Sequence, residues 1–210
     1  MTSDVDPSEA VPSAADAAAG PAAYDEWDDA TLVGRAASGD DAAFAVLVRR
    51  YQGPLFRHAL RLTPDRKLAE DIVQEAFLAA WRRLPTLQTP ESFRSWLYQI
   101  TTRRSIDAFR ARRPEQPVDT TGPEVTGLVS AEPGPESRAE QRAQLGDLAA
   151  ALQELPVTQR AAWAMREVDG LSYEEVAVAL GVPVSTVRGR IARARRELVE
   201  RMGAWQTTHA

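Results

Sequence analysis

The stretch Leu171–Met202 constrains the fold more than any other part of this 210-residue chain. Ser172 is a good N-cap residue, and Glu175 three positions later completes a capping-box pattern. Gly181 is placed to end this first helix, and Pro183 suits the entrance of a second. Two short helices joined by a glycine turn predict a helix-turn-helix.

The second helix of this pair has an apolar face and a basic face. Apolar residues repeat at the four-three-four interval of a buried stripe, at Val187, Ile191, Ala194 and Leu198. On another side, two arginines flank two small residues. The small residues let the helix lie close to a DNA major groove, and the guanidinium groups can then reach the bases or phosphates. A solvated arginine face is the alternative for this helix alone, but the capped hairpin before it favours DNA binding. The predicted contacts are Ser185 and Thr186, which can also cap the helix, with Arg188, Gly189, Ala192 and Arg193.

The distribution of charge agrees with a nucleic-acid partner, although the net charge is −5. Residues 1–30 hold eight acids and no lysine or arginine, so removing those eight negative charges leaves +3 for the remainder. Two blocks, residues 94–113 and residues 188–201, hold six arginines each. These blocks are the candidate polyanion contacts.

Several function classes are disfavoured by composition. The chain has no cysteine, which excludes disulfides, a thiolate nucleophile and a zinc knuckle. No cluster of His, Cys and acidic residues suggests a catalytic pocket, so we expect no enzyme activity, metal or cofactor. No apolar run reaches membrane-spanning length, and the acidic start is unlike a signal peptide, so we expect a cytoplasmic protein without membrane insertion.

Composition shifts divide the chain into two helical domains. Composition predicts a disordered acidic tail at residues 1–26 and a short tail at residues 206–210. The two predicted domains lie between them, at residues 27–113 and 136–205. Residues 114–135 hold five prolines and three glycines in 22 residues, which predicts a flexible linker. No alternation of period two is long enough for a strand. The predicted fold class is all-α, with two small helical domains joined by a Pro-rich linker.

Four helices are predicted in the first domain, at Asp28–Ala37, Asp41–Leu62, Lys67–Leu84 and Pro90–Arg112. A kink is expected in the second helix at Gly53 and Pro54. On the third helix, the i, i+3, i+4 and i+7 positions place Asp71, Gln74, Glu75 and Leu78 on one outward strip. Taken alone, such a strip is usually a solvated face. It also suits a partner that offers arginines and a small apolar patch.

Three segments in order resemble the extracytoplasmic-function (group 4) sigma factors of the sigma-70 family. They are "AEDIVQEAF", "FRSWLYQITTRRSIDAFRARR" and "LPVTQRAAWAMREVDGLSYEEVAVALGVPVSTVRGRIARARREL". The resemblance covers roughly residues 27–202. It implies that the first domain is similar to sigma region 2 and the second to region 4, with no region 3 between them. It further implies a promoter-specificity subunit with core RNA polymerase, promoter DNA and an anti-sigma factor as partners, monomeric when free.

The resemblance also assigns roles to the predicted surfaces. In the family, the positions that bind the clamp coiled coil of the polymerase correspond here to Asp71, Gln74 and Glu75, with Leu78 beside them. The fourth helix and residues 87–92 match the segment that melts the minus-10 element, with Arg94, Tyr98, Arg103, Arg104, Asp107 and Arg110 as its contacts. Arg103 stands where many relatives have asparagine, so that base contact is not carried over. On the minus-35 element, we expect Arg188 to read bases and Arg193 to hold phosphate.

Two other functions are alternatives to the sigma hypothesis. A stand-alone helix-turn-helix repressor would bind a palindromic site tightly without polymerase, whereas a nuclease would need an acid-base or metal cluster. The sigma hypothesis predicts weak DNA binding by the free chain. The promoter elements lie about 70 Å apart, and a flexible linker of this length spans roughly 26 Å on average and about 73 Å at full extension. Polymerase would hold the two domains in register and make their binding bivalent.

Overall fold

A computed structural model describes residues 21–111, 146 and 148–208, with side chains described between Tyr24 and Met202. The predicted linker and most of the predicted tails lie outside these residues. The helices are α1 (Asp29–Ala37), α2 (Asp41–Leu62), α3 (Arg66–Arg83), α4 (Phe93–Ala111), α5 (148–154), α6 (Val157–Trp163), α7 (Tyr173–Leu180) and α8 (Val184–Thr208). No strand occurs within the ranges just given, and the all-α fold class is confirmed.

Side-chain caps set the helix starts in the first domain. The carboxylate of Asp28 accepts a hydrogen bond from the Thr31 amide at 2.7 Å, and Asp40 and Asp65 cap α2 and α3 in the same way. Such caps satisfy amides that the first helical turn leaves without partners. The α2 helix runs as one element through Pro54. The predicted fourth helix begins as a 3-10 turn, Pro90–Ser92, before α4 proper.

The first domain packs α1, α3 and α4 around the long helix α2. Leu47, Leu55 and Leu62 of α2 are completely buried, as are Leu32 of α1 and Leu97 of α4. Their spacing along α2 keeps one side of that helix facing inward over its whole length. This rigid core fixes the outward faces of α3 and α4.

The predicted end of the acidic tail at residue 26 is wrong. Pro21–Glu26 forms a 3-10 helix of 6 residues against the first domain. Tyr24 in this segment is buried, and its hydroxyl donates a hydrogen bond to Asp40 at 3.0 Å. The aromatic ring of Tyr24 provides apolar area that its alanine-rich and acidic neighbours lack, which explains why composition alone placed the boundary too late.

The second domain contains the predicted helix-turn-helix in α7 and α8. The capping box is confirmed, because Ser172 Oγ accepts from the Glu175 amide at 3.0 Å and Glu175 accepts from the Ser172 amide at 2.7 Å. Gly181 follows α7 with a φ of 62°, the left-handed conformation that favours glycine. The α8 helix begins at Val184, so Ser185 and Thr186 lie inside its first turn and not at its N-cap. The predicted stripe of α8 is buried as expected.

The two domains lie against each other and share one apolar cluster. Met165, Leu171 and Val176 of the second domain belong to the same buried cluster as the core of the first. The α7 helix lies along α4. This contact differs from the expectation of two separate domains joined by a flexible linker.

Candidate polymerase and promoter surfaces

The strip predicted on α3 lies on the outside of the first domain. Ile72, Ala76 and Ala80 turn the opposite side of α3 into the core. This leaves every member of the strip exposed, at Asp71, Gln74, Glu75 and Leu78. Leu78 is 49% exposed, unusual for a large apolar side chain on a packed helix. The strip therefore offers carboxylates, an amide and an apolar contact on one accessible face.

An apolar groove between α2 and α3 adjoins the strip. Its volume is about 1050 Å³, and Gln74 and Leu78 belong both to the strip and to the groove wall. The side chains that give it its apolar character are Phe44, Val48, Phe56, Phe77 and Trp81. A groove of this kind accepts the apolar face of a helix from another protein. Phe44 and Val48 are only partly buried, so both contribute apolar surface to this groove.

A salt bridge joins the strip to the predicted minus-10 surface. Arg104 of α4 donates to the carboxylate of Glu75 on α3. The two side chains are 38% and 59% exposed, so solvent screens the pair and its contribution to stability is small. Arg104, which is predicted to contact promoter DNA, and Glu75, which is predicted to contact polymerase, thus neutralise each other's charge in this structure.

The predicted minus-10 residues divide into an exposed group and a covered group. Arg103, Asp107 and Arg110 are exposed along the C-terminal half of α4. Arg94 instead donates a hydrogen bond to the backbone carbonyl of Asp169 in the second domain. Tyr98 is buried in this structure, with the ring 2% exposed and packed edge-on against His58 of α2, so it offers no stacking face to a base here. Burial also raises the pKa of its hydroxyl.

The predicted minus-35 surface is accessible on α8. Ser185, Arg188, Ala192 and Arg193 are exposed, while Thr186 and Gly189 are partly buried. The guanidinium carbon of Arg188 lies 5.4 Å from the ring centroid of Tyr173 on α7, a cation–π contact. The Arg193 guanidinium lies over Gly189, 3.6 Å from where a Cβ atom would stand. The DNA-contact roles of these residues remain predictions.

A buried polar network at the domain contact was missed by the sequence analysis. His58 Nδ1 of α2 lies 2.7 Å from the carboxylate of Asp169, which follows α6. Arg61 donates to the other oxygen of the same carboxylate. His58 occupies a position on the apolar stripe of α2 between Leu55 and Leu62, and a polar residue on such a stripe indicates a buried partner. That signal was available in the sequence, but it did not identify the partner.

The basic recognition helix and the two helical domains define a helix-turn-helix DNA-binding protein with a second, partner-binding domain. None of the helices in the described part of the chain is long and apolar enough to cross a membrane. Within that same part, no group of three or more potential ligands is placed to hold a metal ion.

Comparison with known proteins matches both domains. Residues 47–115 match Sigma-70 region 2, and residues 145–198 match Sigma-70 region 4. The chain is 36% identical to the RNA polymerase sigma-H factor of Pseudomonas aeruginosa over 177 residues, which cover 81% of this chain and 91% of that protein. It spans 63% of the length of one mycobacterial relative and 94% of an Escherichia coli relative.

Two solved structures share the fold. CnrH in complex with the cytosolic domain of CnrY is 29% identical, with a TM-score of 0.64 over 84% of this chain and 97% of that one. The sigma factor RpoE of Bartonella quintana, in complex with the anti-sigma factor NepR, is 21% identical, with a TM-score of 0.57 over 76% of this chain and 96% of that one. The latter likeness shows the fold alone.

The chain therefore belongs to the extracytoplasmic-function sigma factors of the sigma-70 family, which direct RNA polymerase to promoters at transcription initiation. Family membership across both domains decides against the stand-alone repressor, which the helix-turn-helix alone left possible.

Proposed function

We propose that this sigma factor binds core RNA polymerase through the strip on α3. The observation that carries this proposal is the joint exposure of Asp71, Gln74, Glu75 and Leu78 beside an apolar groove. Carboxylates and an amide around an exposed leucine complement a helical partner that presents arginines and an apolar residue. The buried residues of α3, among them Ile72, Ala76 and Ala80, lie on the opposite side of the helix, which leaves this face accessible to a partner.

Run-off transcription with purified core polymerase tests the strip. The double substitution Asp71→Ala and Gln74→Ala removes polar contacts from an exposed face, so the fold should be kept while transcription is abolished. Glu174→Ala is the matched control, because Glu174 is an exposed carboxylate on α7, away from the strip. Full transcription by the double variant would refute the proposed polymerase contact.

We propose that α8 recognises the minus-35 element, with Arg188 reading bases and Arg193 holding phosphate. Arg188 is exposed and its guanidinium is positioned by Tyr173, which favours a defined geometry at a base edge. Gly189 and Ala192 add little bulk of their own between the two arginines, so the backbone of α8 can approach the groove closely once the Arg193 guanidinium, which lies over Gly189 here, turns to a phosphate. Specificity at positions without a direct contact then depends on DNA shape.

Two arginine variants distinguish base reading from phosphate binding. Arg188→Ala should cost about 1–3 kcal/mol in promoter binding and relax one position of the minus-35 element. Arg193→Ala, which removes the exposed arginine assigned to phosphate, should weaken all sequences about equally. Binding of holoenzyme to a set of single-base promoter variants measures both effects. Uniform weakening by Arg188→Ala would contradict its assignment to base reading.

For the minus-10 element, the proposal rests on the arginines of α4. Arg103 and Arg110 are exposed and Arg104 is held only by an exposed salt bridge, so together they offer a track of positive charge to an unpaired strand. Such a track contacts the backbone regardless of sequence. Asp107 lies on the same part of α4 and limits the net charge of the track.

Control by an anti-sigma factor completes the proposed function. CnrH and the Bartonella RpoE were each solved in complex with a protein partner, in the second case a named anti-sigma factor. The groove between α2 and α3, continuous with the polymerase strip, gives such a partner an apolar surface whose occupation would exclude polymerase. In this role the protein acts in the cytoplasm as a monomeric regulator and catalyses no reaction by itself.

A further inference from the structure

A polar pocket lies between α6 and α8 in the second domain. Its volume is about 550 Å³, and Gln159 of α6 forms one wall. The other wall is one side of α8, because its residues follow one another in steps of three and four positions, at Arg193, Arg196, Glu197, Glu200 and Arg201. Only Arg193 among the lining residues belongs to the proposed minus-35 surface.

Two guanidinium groups of this pocket are available to a ligand. Arg193 and Arg196 are both exposed, and neither forms an ion pair with another of the described side chains. Arg195 of the same helix is a contrast, because it is paired with Glu167 at 2.7 Å. Guanidinium groups bind phosphate oxygens through charge-assisted hydrogen bonds in a planar geometry. The pocket therefore offers two cations suited to one phosphate group.

The acidic side chains lie toward the other end of the pocket. Arg201 is held by Glu197 at 2.9 Å and forms a second salt bridge with Glu154. This group lies about 7.5 Å further along the axis of α8 than Arg196. Glu200 is exposed, and it is the carboxylate of the pocket wall that has no ion pair among the described side chains. The positive end of the pocket is therefore the end nearer to the recognition surface.

Gln159 places an amide without a partner in the same pocket. Its Oε1 atom is buried and accepts no hydrogen bond from the described residues. Buried polar atoms in folded proteins almost always have a partner, so this amide is a candidate contact for a group from outside the chain. A half-turn of the amide exchanges its oxygen for an NH₂ group with two donors. The amide can then donate to a phosphate oxygen held by the two arginines.

The position of the pocket along α8 matches the edge of a DNA groove. Arg196 lies eight residues, or about 12 Å, beyond Arg188 along the helix axis. The major groove is also about 12 Å wide, so a helix that reads bases near its N-terminus reaches the phosphate backbone at this distance. Arg196 lies four positions after Ala192 and thus continues the recognition side of α8.

We propose that this pocket binds one phosphate of the promoter backbone beside the minus-35 element, held by Arg193, Arg196 and Gln159. The inference rests on the proposed minus-35 role of α8 and adds Arg196 and Gln159 to that surface. The contact reads no base. It fixes the depth and angle at which α8 enters the groove and so positions Arg188 against its base. Glu200 opposes the phosphate and limits the affinity of the pocket.

Replacing single backbone phosphates with uncharged methylphosphonates locates the contact. Holoenzyme binding to such promoter fragments should weaken about two- to fivefold at one phosphate beside the minus-35 element. Arg196→Gln should weaken binding to all sequences by a similar factor and show little further loss at that phosphate. The other phosphates are the control, because their replacement should affect wild-type and Arg196→Gln holoenzymes equally. The variant is expected to fold, since Arg196 is exposed.

Two more variants should change promoter binding in opposite directions. Gln159→Leu removes the amide at similar side-chain volume, so it should weaken binding and reduce the effect of the same methylphosphonate. Glu200→Gln removes the opposing charge and should tighten binding about twofold, the scale of a surface charge interaction. Arg196→Gln should also lower the slope of log affinity against log salt concentration by about 1, as expected for the loss of one phosphate contact.

Each contrary result has a distinct meaning. If no methylphosphonate position distinguishes wild type from Arg196→Gln, the phosphate contact is refuted. Weaker binding by Glu200→Gln would overturn the charge argument. A free phosphorylated ligand is the other source of this chemistry: inorganic phosphate that binds the free chain through Arg196, without any effect of methylphosphonates, would overturn the assignment to DNA. Failure of the proposed minus-35 role is seen separately, as Arg188→Ala that relaxes no base position.

Discussion

Tyr173 is expected to tune minus-35 recognition through Arg188. The guanidinium carbons of Arg188 and Arg166 lie 5.4 Å and 4.7 Å from the centroid of its ring. Arg166 also donates to the carbonyl oxygen of Leu171 at 2.8 Å, which fixes it in the loop before α7. A cation over an aromatic ring at an exposed site contributes about 0.5–1 kcal/mol. Tyr173→Leu should therefore weaken promoter binding by about two- to fivefold, since 1.4 kcal/mol corresponds to about a factor of ten.

Holoenzyme binding to a fluorescent promoter fragment measures this loss. Tyr173→Phe keeps the ring and should bind within about 0.5 kcal/mol of the wild type, as expected for a surface change that removes no named contact. A double-mutant cycle with Arg188→Ala should return a coupling of about 0.5–1 kcal/mol. The reasoning fails if Tyr173→Leu weakens binding equally with and without the Arg188 side chain, because the ring would then act through something other than Arg188.

Three further predictions concern stability. The lowered pKa of Asp169 implies stabilisation that is present above its ordinary value of 3.8 and lost as the pH falls through the lower folded-state value. The free energies of unfolding of wild type and Asp169→Asn, measured in urea, should therefore begin to converge only below about pH 5. A gap independent of pH would contradict this sign. Gly181→Ala should lower the free energy of unfolding by about 1–2 kcal/mol, because φ is 62° although no atom obstructs a Cβ. Gly34→Ala, inside α1 and equally unobstructed, should raise the free energy of unfolding by about 0.5–1 kcal/mol in the same assay. A stabilising Gly181→Ala or a destabilising Gly34→Ala would refute the conformational argument.

Local signals in the sequence predicted the helices well, because caps and periodicity act within a few residues. Asp41–Leu62 was predicted at its observed boundaries. The capping box at Ser172 and the left-handed turn at Gly181 were read from residue type and spacing alone. The exposure of the α3 strip follows from the same periodicity, since burying one side of a helix determines which side faces solvent.

Contacts between the domains could not be predicted in that way. His58 and Asp169 are separated by 111 positions, and neither residue type demands the other. Tyr98 illustrates the consequence: its place on a basic helix suggests a DNA contact, but the ring is buried in the structure and packs against His58. Tyr24 was missed for a related reason, since a single aromatic residue in a segment of low hydrophobicity carries little weight in a compositional argument.

Two ion pairs in this structure differ in how readily a binding partner could replace them. Glu75 and Arg104 form a screened pair on the surface, so a partner that binds the α3 strip can take Glu75 at little cost and leave Arg104 available to a phosphate. The Asp169 network is buried and resists such replacement, because any group that substitutes for it must also be desolvated. The two pairs therefore predict different responses to a partner on the α3 strip. The Glu75 pair should give way to it, whereas the Asp169 network should persist.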